Sequence, residues 1–516
     1  MLKSQIIKNV TSSWFSLGVS ILVGIFLSPF ILHRLGNTAY GAWILVFSVT
    51  GYYGLFDLGI RSSVIRYVST YTATNDTESV SRLINTALLV YAAIGAAAIV
   101  TTLVVSGFLG SLFRMPPDFL PTARVLFLMV GIAVGLGFPA GVFSGILEGL
   151  NHFYFVNITN LAATLLRALL IVIALKLGYG LLVVAFVTMT LPLLGAAVRA
   201  LIVLRILPLR FGWKYVDRAA LGEIARYSGI SFILMIAYKL RFKTDEVLIS
   251  TLVSVAAVTY FSIGDRLVDY AGEVVSSLAQ IFVPMSGQSE AKGNREELRR
   301  ILVVGNRACS LIVFPITATL IILGKSVIAA WVGEVYVAVC YPVLLTLLIP
   351  MTFILAQAAS SRILYGMARH RSLAWVTGME AITNVILSVV LIRPLGIVGD
   401  ALGTAIPLTC TGLFFLPRHL CRVLDVRVGT FIREAYSLPL LLCVPCAAVL
   451  LLMRRWFFAR TYSEVGFQIL LSLIPYGLGI AWATWTGRLW RVAQLSSGKQ
   501  FDEVGVALME TFQKEP

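Results

Sequence analysis

The sequence predicts an all-α integral membrane protein. About fourteen transmembrane helices are expected, as two six-helix bundles forming parallel repeats around a central cavity, with two extra C-terminal helices. Three observations predict this: scarce charge, recurrent apolar runs of spanning length, and an internal duplication. Of 516 residues, 58% are hydrophobic and 13% charged, and mean hydropathy is +0.89. Soluble domains carry about 25% charged residues. Runs of about 20 apolar residues, enough to cross a hydrocarbon core, follow one another along the chain.

In chain order the expected spans are 12–32, 40–60, 83–109, 121–143, 155–176, 180–204, 228–250, 253–284, 301–323, 341–359, 373–392, 399–417, 437–453 and 467–486. The connections are short and leave no room for a soluble catalytic domain, so an enzyme is not expected. The first span lacks a small-residue cleavage site after a compact apolar core, and is read as retained rather than as a signal peptide. Of the 41 Lys and Arg residues, 25 fall in the tails and even-numbered loops, and 8 in the opposite loops. The positive-inside rule then places both termini in the cytoplasm. The +16 net charge reports topology and affinity for anionic headgroups. It is scattered over separate loops without a binding motif, which argues against nucleic acid as a partner.

The duplication is visible in three places. ATNDTESVSRLI (73–84) and AKGNREELRRIL (291–302) lie 218 residues apart, each a polar loop feeding an apolar span. ILEGLNHFYF (146–155) and ILYGMARHRS (363–372) match at an offset of 217, and Lys176 falls on Arg393 at that same offset. Each repeat holds six spans, an even number, so both take one orientation and their symmetry axis runs along the membrane normal. The expected divisions are an N-terminal six-helix bundle over 1–220, its repeat over 221–430, two added helices over 431–490, and a cytoplasmic tail over 491–516. Paired bundles of this kind suggest alternating-access transport, an inference from architecture.

Ionisable residues inside the spans point to function, because each costs at least about 2.5–3.5 kcal/mol at the bilayer centre. Span seven holds Lys239, Arg241, Lys243, Asp245 and Glu246 within eight positions. Helical spacing allows Arg241 to pair with Asp245, and Lys243 with Glu246. Lys239 finds no acid three or four residues away. Span eight carries Asp265, Asp269 and Glu273 at intervals of four, with Arg266 beside them. The corresponding parts of spans one and two carry no charge, and this asymmetry favours a function over a structural need. Two readings stand: an inter-helix salt-bridge network, or contact with an anionic substrate with the acids as gates. Arg167 in span five could join the cations, as could Arg307 in span nine, for which snorkelling to an interface is the preferred reading. Asp57 lies at the cytoplasmic end of span two, where capping competes with proton coupling.

Several features mimic sites. Gly137, Gly141, Gly145 and Gly149 recur every fourth residue after Gly131 and Gly135, a spacing suited to close helix packing. Cys443 and Cys446 form a CxxC in an apolar span with no His nearby, so redox and metal roles are set aside. LGKS (323–326) lacks the first glycine of a phosphate-binding loop, which Thr319 replaces. No ATPase motif is present and no cofactor or metal is expected; ion gradients, membrane potential or substrate consumption would supply the drive, with H+ or Na+ as coupling ions.

YGAWILVFSVTGYYGLFDLGIRSSVIRYVS (40–69), FVPMSGQSEAKGNREELRRIL (282–302), NVILSVVLIRPLGIVGDALGTAI (384–406) and KTDEVLIS with VAAVTYFSIGDR (243–266) resemble polysaccharide-export flippases of the multidrug/oligosaccharidyl-lipid/polysaccharide superfamily. The resemblance covers spans one to twelve. It implies a bacterial inner-membrane flippase that moves a polyprenyl-pyrophosphate-linked oligosaccharide by alternating access, as O-antigen flippases do. On that reading Lys239, Arg241, Lys243 and Arg167 contact the headgroup, while Asp245, Glu246, Asp265, Asp269 and Arg266 gate or couple to an ion. Membrane lipids and a glycan polymerase, or other synthesis-complex proteins, are the implied partners. Similarity to lipid-linked peptidoglycan-precursor flippases implies that the last two spans border a groove for the lipid tail. The alternatives are a cation-coupled multidrug exporter of the same superfamily, a membrane glycan polymerase or ligase, and a non-transport component of a glycan-synthesis complex.

Overall fold

The computed structural model describes residues 2–51, 60–74, 76–222, 244–367, 369, 371–489 and 491. They are helical almost throughout, with no strand among the described residues. The helices are α1 (Leu2–Gly51), α2 (Ile60–Ala73), α3 (Thr77–Leu112), α4 (Leu120–Gly149), α5 (Phe153–Lys176), α6 (Leu181–Ile206), α7 (Asp245–Leu252), α8 (Val255–Ala279) and α9 (Phe282–Ala291). They continue with α10 (Arg295–Val332), α11 (Glu334–Ala356), α12 (Ala358–Gly366), α13 (Arg371–Leu395), α14 (Ile397–Cys410), α15 (Leu416–Leu424), α16 (Val428–Trp456) and α17 (Tyr462–Trp485).

Among the described residues eleven helices are long and apolar enough to cross a membrane, and the chain is a multi-pass membrane protein. The difference from fourteen has three sources. The first two expected spans form one element, Trp14–Gly51, broken at Gly36 (φ 78°, ψ 170°), a backbone state that glycine adopts without a Cβ penalty. Span seven falls largely on residues 223–243, outside the described set. Span eight exists as α8, but its Asp265, Arg266, Asp269 and Glu273 lower its apolarity.

Contact divides the chain into two compact units, Met1–Ser262 with Ala381–Asp400, and Ile263–Glu380 with Ala401–Pro516. Repeats speak of ancestry, units of packing. In the first unit Val64 and Val68 of α2, Leu83 and Ile84 of α3, and Ile146 and Leu147 of α4 form one fully buried core. A second joins Leu45 and Val46 of α1 to Leu126, Phe127 and Val130 of α4 and Ala185 of α6. Helices α3 and α4 approach so closely at Gly95 and Gly135 that a Cβ on either would run into the other's carbonyl oxygen. Gly41 of α1 likewise leaves room for the Val255 carbonyl. The loop after α3 clasps the α7–α8 turn through its backbone: Arg114 N–H donates to Ser250 O and Val255 N–H donates to Arg114 O, both at 3.0 Å.

In the second unit the 38-residue α10 is the axis. Leu302, Cys309 and Val313 on α10 pack with Ile363 of α12, Leu420 of α15 and Phe431 of α16. The last two helices, α16 and α17, close on α10 through Leu323, Leu442, Cys446, Leu450 and Tyr476. Cys443 and Cys446 are free thiols within this apolar cluster, so the CxxC is packing. Buried Asn306 of α10 and Ser360 of α12 exchange hydrogen bonds: Asn306 Nδ2 donates to Ser360 Oγ at 2.9 Å, and Ser360 N–H donates to Asn306 Oδ1 at 3.3 Å.

The duplicated stretches share local geometry. Asp76 caps α3 by accepting from Ser79 N–H at 2.9 Å, and Asn294, 218 residues on, caps α10 by accepting from Glu297 N–H at 3.0 Å. At the end of α4, Leu150 N–H donates to Ile146 O and His152 N–H to Leu147 O. At the end of α12, Met367 and Arg369 donate to Ile363 and Leu364 in the same way, 217 residues later. Gly149 of α4 packs on the Ile65 carbonyl of α2, and Gly366 of α12 on the Val283 carbonyl of α9. The glycine run on α4 divides accordingly: Gly131 and Gly135 meet α3, Gly145 and Gly149 meet α2, while nothing lies within 4 Å of a Cβ at Gly137 or Gly141.

Candidate functional site

Lys239, Arg241 and Lys243 lie outside the described residues, as does Asp57. The charged segment enters the structure at Asp245 and Glu246, which open α7 and are 6% and 5% exposed. Acids suit this first turn, where unsatisfied backbone N–H groups give the helix a partial positive end. Burying a carboxylate is costly unless it is hydrogen-bonded. Glu246 Oε2 accepts from Ser48 Oγ of α1 at 3.2 Å. The Gly41 contact with Val255 and the Arg114 clasp hold the other end of α7, so both acids sit on a braced element.

On α8, Asp265 is half-buried, and Arg266 and Glu273 are exposed. Arg266 approaches Asp269 to 4.0 Å across one helical turn, with side chains 49% and 38% exposed. Its guanidinium also lies 5.2 Å from the centre of the Tyr270 ring. An ion pair this open is worth at most about 1 kcal/mol. It leaves Arg266 and Asp269 able to exchange partners. Arg167 is half-buried on α5, fourteen residues from the start and nine from the end of the helix. At 1.5 Å per residue that is roughly 20 Å and 13 Å from the ends, a mid-span position.

The structure corrects the reading of Arg307. It does not snorkel: it is 3% exposed. Its Nε donates to Glu434 O at 3.0 Å, and Nη1 donates to Leu489 O at 2.7 Å and Arg491 O at 2.9 Å. The Glu434 carboxylate stands 3.7 Å from Nη2. The guanidinium therefore binds the start of α16 and the carbonyls just beyond α17, a structural clamp with its donors committed. Sequence alone could not reveal this, because the accepting carbonyls lie 127 to 184 residues away.

A second arginine was not singled out. Arg199 of α6 is 8% exposed and donates to Thr159 Oγ1 and Asn160 Oδ1 of α5. The signal was present: VRALIV around Arg199 repeats the pattern of LRALLIV around Arg167. Lys325 of LGKS lies 5.4 Å from the centre of the Tyr341 ring, a cation on an aromatic face. No group of three His, Cys, Asp or Glu side chains able to hold a metal ion occurs among the described residues.

A family model described as "Polysaccharide biosynthesis protein" matches residues 31–341. A Shigella flexneri protein with the curated name "Putative O-antigen transporter" is 21% identical over 443 residues, covering 82% of this chain and all of that protein. Among solved structures, the lipid II flippase MurJ in an inward closed conformation superposes with a TM-score of 0.69 at 14% identity, over 94% of this chain and 100% of that one. An inward-facing multidrug resistance MATE family transporter of the MOP superfamily also reaches 0.69, at 15% identity, over 78% of this chain and 94% of that one. At these identities the solved structures establish the fold.

Proposed function

Because the chain belongs to the polysaccharide biosynthesis protein family, we propose that it is a flippase for a polyprenyl-pyrophosphate-linked oligosaccharide, an O-antigen, capsule or exopolysaccharide unit. One observation carries the reading: the family match falls on an all-helical multi-pass chain whose fold accounts for the whole of a lipid II flippase. Such a protein binds and releases its cargo without changing a covalent bond, so it is not an enzyme. The setting is a bacterial cytoplasmic membrane with both termini in the cytoplasm. Partners are the lipid-linked substrate, bulk lipids, and a glycan polymerase or related synthesis proteins.

In the proposed cycle the pyrophosphate and glycan are carried through the protein by alternating access while the polyprenyl tail stays in lipid. Lys239, Arg241, Lys243 and Arg167 contact the anionic headgroup, because guanidinium and ammonium donors match phosphate oxygens. Asp245, Glu246, Asp265 and Asp269, with Arg266, compete for those cations and reset them once the headgroup leaves. Protonation or Na+ binding at these acids would couple transport to an ion gradient. Braced Glu246 and the open Arg266–Asp269 pair support the two halves of this role, one fixed and one exchangeable.

A cation-coupled multidrug exporter is the second reading, favoured by the MATE-type match. The flippase fold extends over more of the chain, 94% against 78%. Depletion of the protein should accumulate lipid-linked oligosaccharide in the inner leaflet, and Lys239→Ala or Arg241→Ala should reproduce this at normal protein level. Unchanged outer-leaflet delivery on depletion, together with lost drug resistance, would favour the exporter instead.

A further inference from the structure

The first unit contains a buried cation whose donors are not all used. Arg199 is 8% exposed, and its Nη1 donates to two neutral oxygens, Thr159 Oγ1 at 2.9 Å and Asn160 Oδ1 at 3.0 Å. Its Nε is buried with no hydrogen-bond partner. A buried N–H left without an acceptor is costly, the more so when the group is charged. Two charges act on Arg199 from nearby, Arg61 of α2 and Glu148 of α4. These two form an ion pair with each other. The three side chains therefore carry two positive charges against one negative.

Arg307 spreads its donors over a ring of carbonyls and a carboxylate, and is satisfied. Arg199 keeps a buried donor in reserve beside a second arginine. Glycines stand beside both arginines: the Cβ position of Gly195, one turn before Arg199, lies 3.5 Å from its Nη1, and that of Gly145 on α4 lies 3.6 Å from Arg61 Cγ. All members cluster at one end of the unit: Arg61 opens α2, Glu148 closes α4, Thr159 and Asn160 lie in the second turn of α5, and Arg199 stands two turns before the end of α6. Arg61 and Glu148 give access, with side chains 46% and 12% exposed.

We propose that Arg199 and Arg61 form a binding site for a phosphate or pyrophosphate headgroup, with Glu148 as the internal anion that yields when the headgroup arrives. The planar forks of two arginines can each give a phosphate two parallel hydrogen bonds. The Arg199 Nε supplies one such donor. An anion also restores charge balance where Glu148 alone leaves one positive charge over. The identity of the ligand rests on the flippase reading, which makes it the pyrophosphate of the carrier lipid; the site's affinity for phosphate does not. By the distribution of Lys and Arg this end faces the cytoplasm, where a newly made lipid-linked substrate is met.

The test uses the purified full-length protein and inorganic pyrophosphate at constant ionic strength, read as the shift in melting temperature. Pyrophosphate should stabilise the wild type, and Arg199→Met and Arg61→Met should each lose most of that shift. Glu148→Gln, which removes the competing carboxylate, should lower the half-saturating concentration roughly three- to tenfold. Equal shifts in the wild type and Arg199→Met would overturn the site, as would an unchanged half-saturation in Glu148→Gln if Arg199→Met cannot be recovered folded. Repeating the titration in bilayers of phosphatidylcholine with and without phosphatidylglycerol separates the sources. Survival of the shift with phosphatidylglycerol assigns the site to the carrier pyrophosphate, and its loss assigns it to a bulk lipid phosphate. The two readings fail separately. If depletion leaves glycan delivery intact while pyrophosphate binding depends on Arg199, the flippase reading falls and the site stands. If depletion blocks delivery while Arg199→Met delivers and binds normally, the site falls and the flippase reading stands.

Discussion

Arg307 of α10 donates to the carbonyl oxygen of Leu489 at 2.7 Å, across 182 residues of sequence. With Glu434 O at 3.0 Å on its other side, this arginine ties three helices of the second unit at one point. Arg307→Met should cost about 3 kcal/mol, since it leaves several buried carbonyls without donors. Ending the chain after Gly487 removes the Leu489 and Arg491 acceptors and should cost a comparable amount. Because the two changes share the Leu489 and Arg491 contacts, combining them should cost less than their sum. Melting of the purified variants provides the check, and strict additivity would refute the clamp.

Glycines on α4 and α12 should divide by what lies above them. Gly149→Ala would set a methyl group 2.8 Å from Ile65 O, and Gly366→Ala would press one onto Val283 O. Each should destabilise by about 1–3 kcal/mol through overpacking. Gly137→Ala and Gly141→Ala meet open space and should be neutral or stabilising by up to about 1 kcal/mol, the helix-propensity difference. The comparison needs only thermal unfolding of four variants.

The two repeat-related caps should respond differently to acid. Asn294→Ala should cost about 1 kcal/mol at any pH, the ordinary worth of a cap. Asp76 titrates: hydrogen bonds from the Ser79 side chain and backbone hold its carboxyl below the ordinary 3.8. A depressed carboxylate contributes stability that is present above its unfolded value and is lost as pH falls through the folded one. Asp76→Asn should therefore differ most from the wild type near neutrality and least once the pH has fallen through the depressed folded value. Parallel unfolding curves at all pH values would show that the Asp76 charge contributes nothing.

Glu246→Gln preserves the shape of the side chain and removes its charge. If this acid gates the neighbouring cations, glycan delivery should fall strongly at unchanged protein level. Ser48→Ala removes the 3.2 Å hydrogen bond, worth about 1.5–3 kcal/mol for a charged acceptor, and should lower stability more than transport. Equal transport by Glu246→Gln and the wild type would confine the residue to packing.

Sequence patterns carried the architecture because their signals are local. Apolar runs, capping residues and the 217–218 offset each reside in a few consecutive positions, and the Asp76 and Asn294 caps appear where the aligned loops put them. The site was less legible because side-chain partners are distant in sequence. Nothing near Glu246 announces Ser48, 198 residues earlier. Arg307 and Arg199 look alike as single cations in apolar helices, yet one is satisfied by carbonyls and the other holds an unused buried donor. Only tertiary neighbours separate them. Likewise, a fourfold glycine period marks one helix face without telling which members touch a neighbour.

The first compact unit is discontinuous: its last piece, Ala381–Asp400, follows the stretch Ile263–Glu380 that belongs to the second. During synthesis at about 5–20 residues per second, roughly 6–24 s pass between the emergence of Ser262 and that of Ala381. For that interval the first unit must wait in the bilayer without its last segment, the later part of α13 and the first residues of α14. Its early helices then meet lipid and insertion factors before the unit is complete, so slow translation over this stretch would be a sensitive point in the protein's biogenesis.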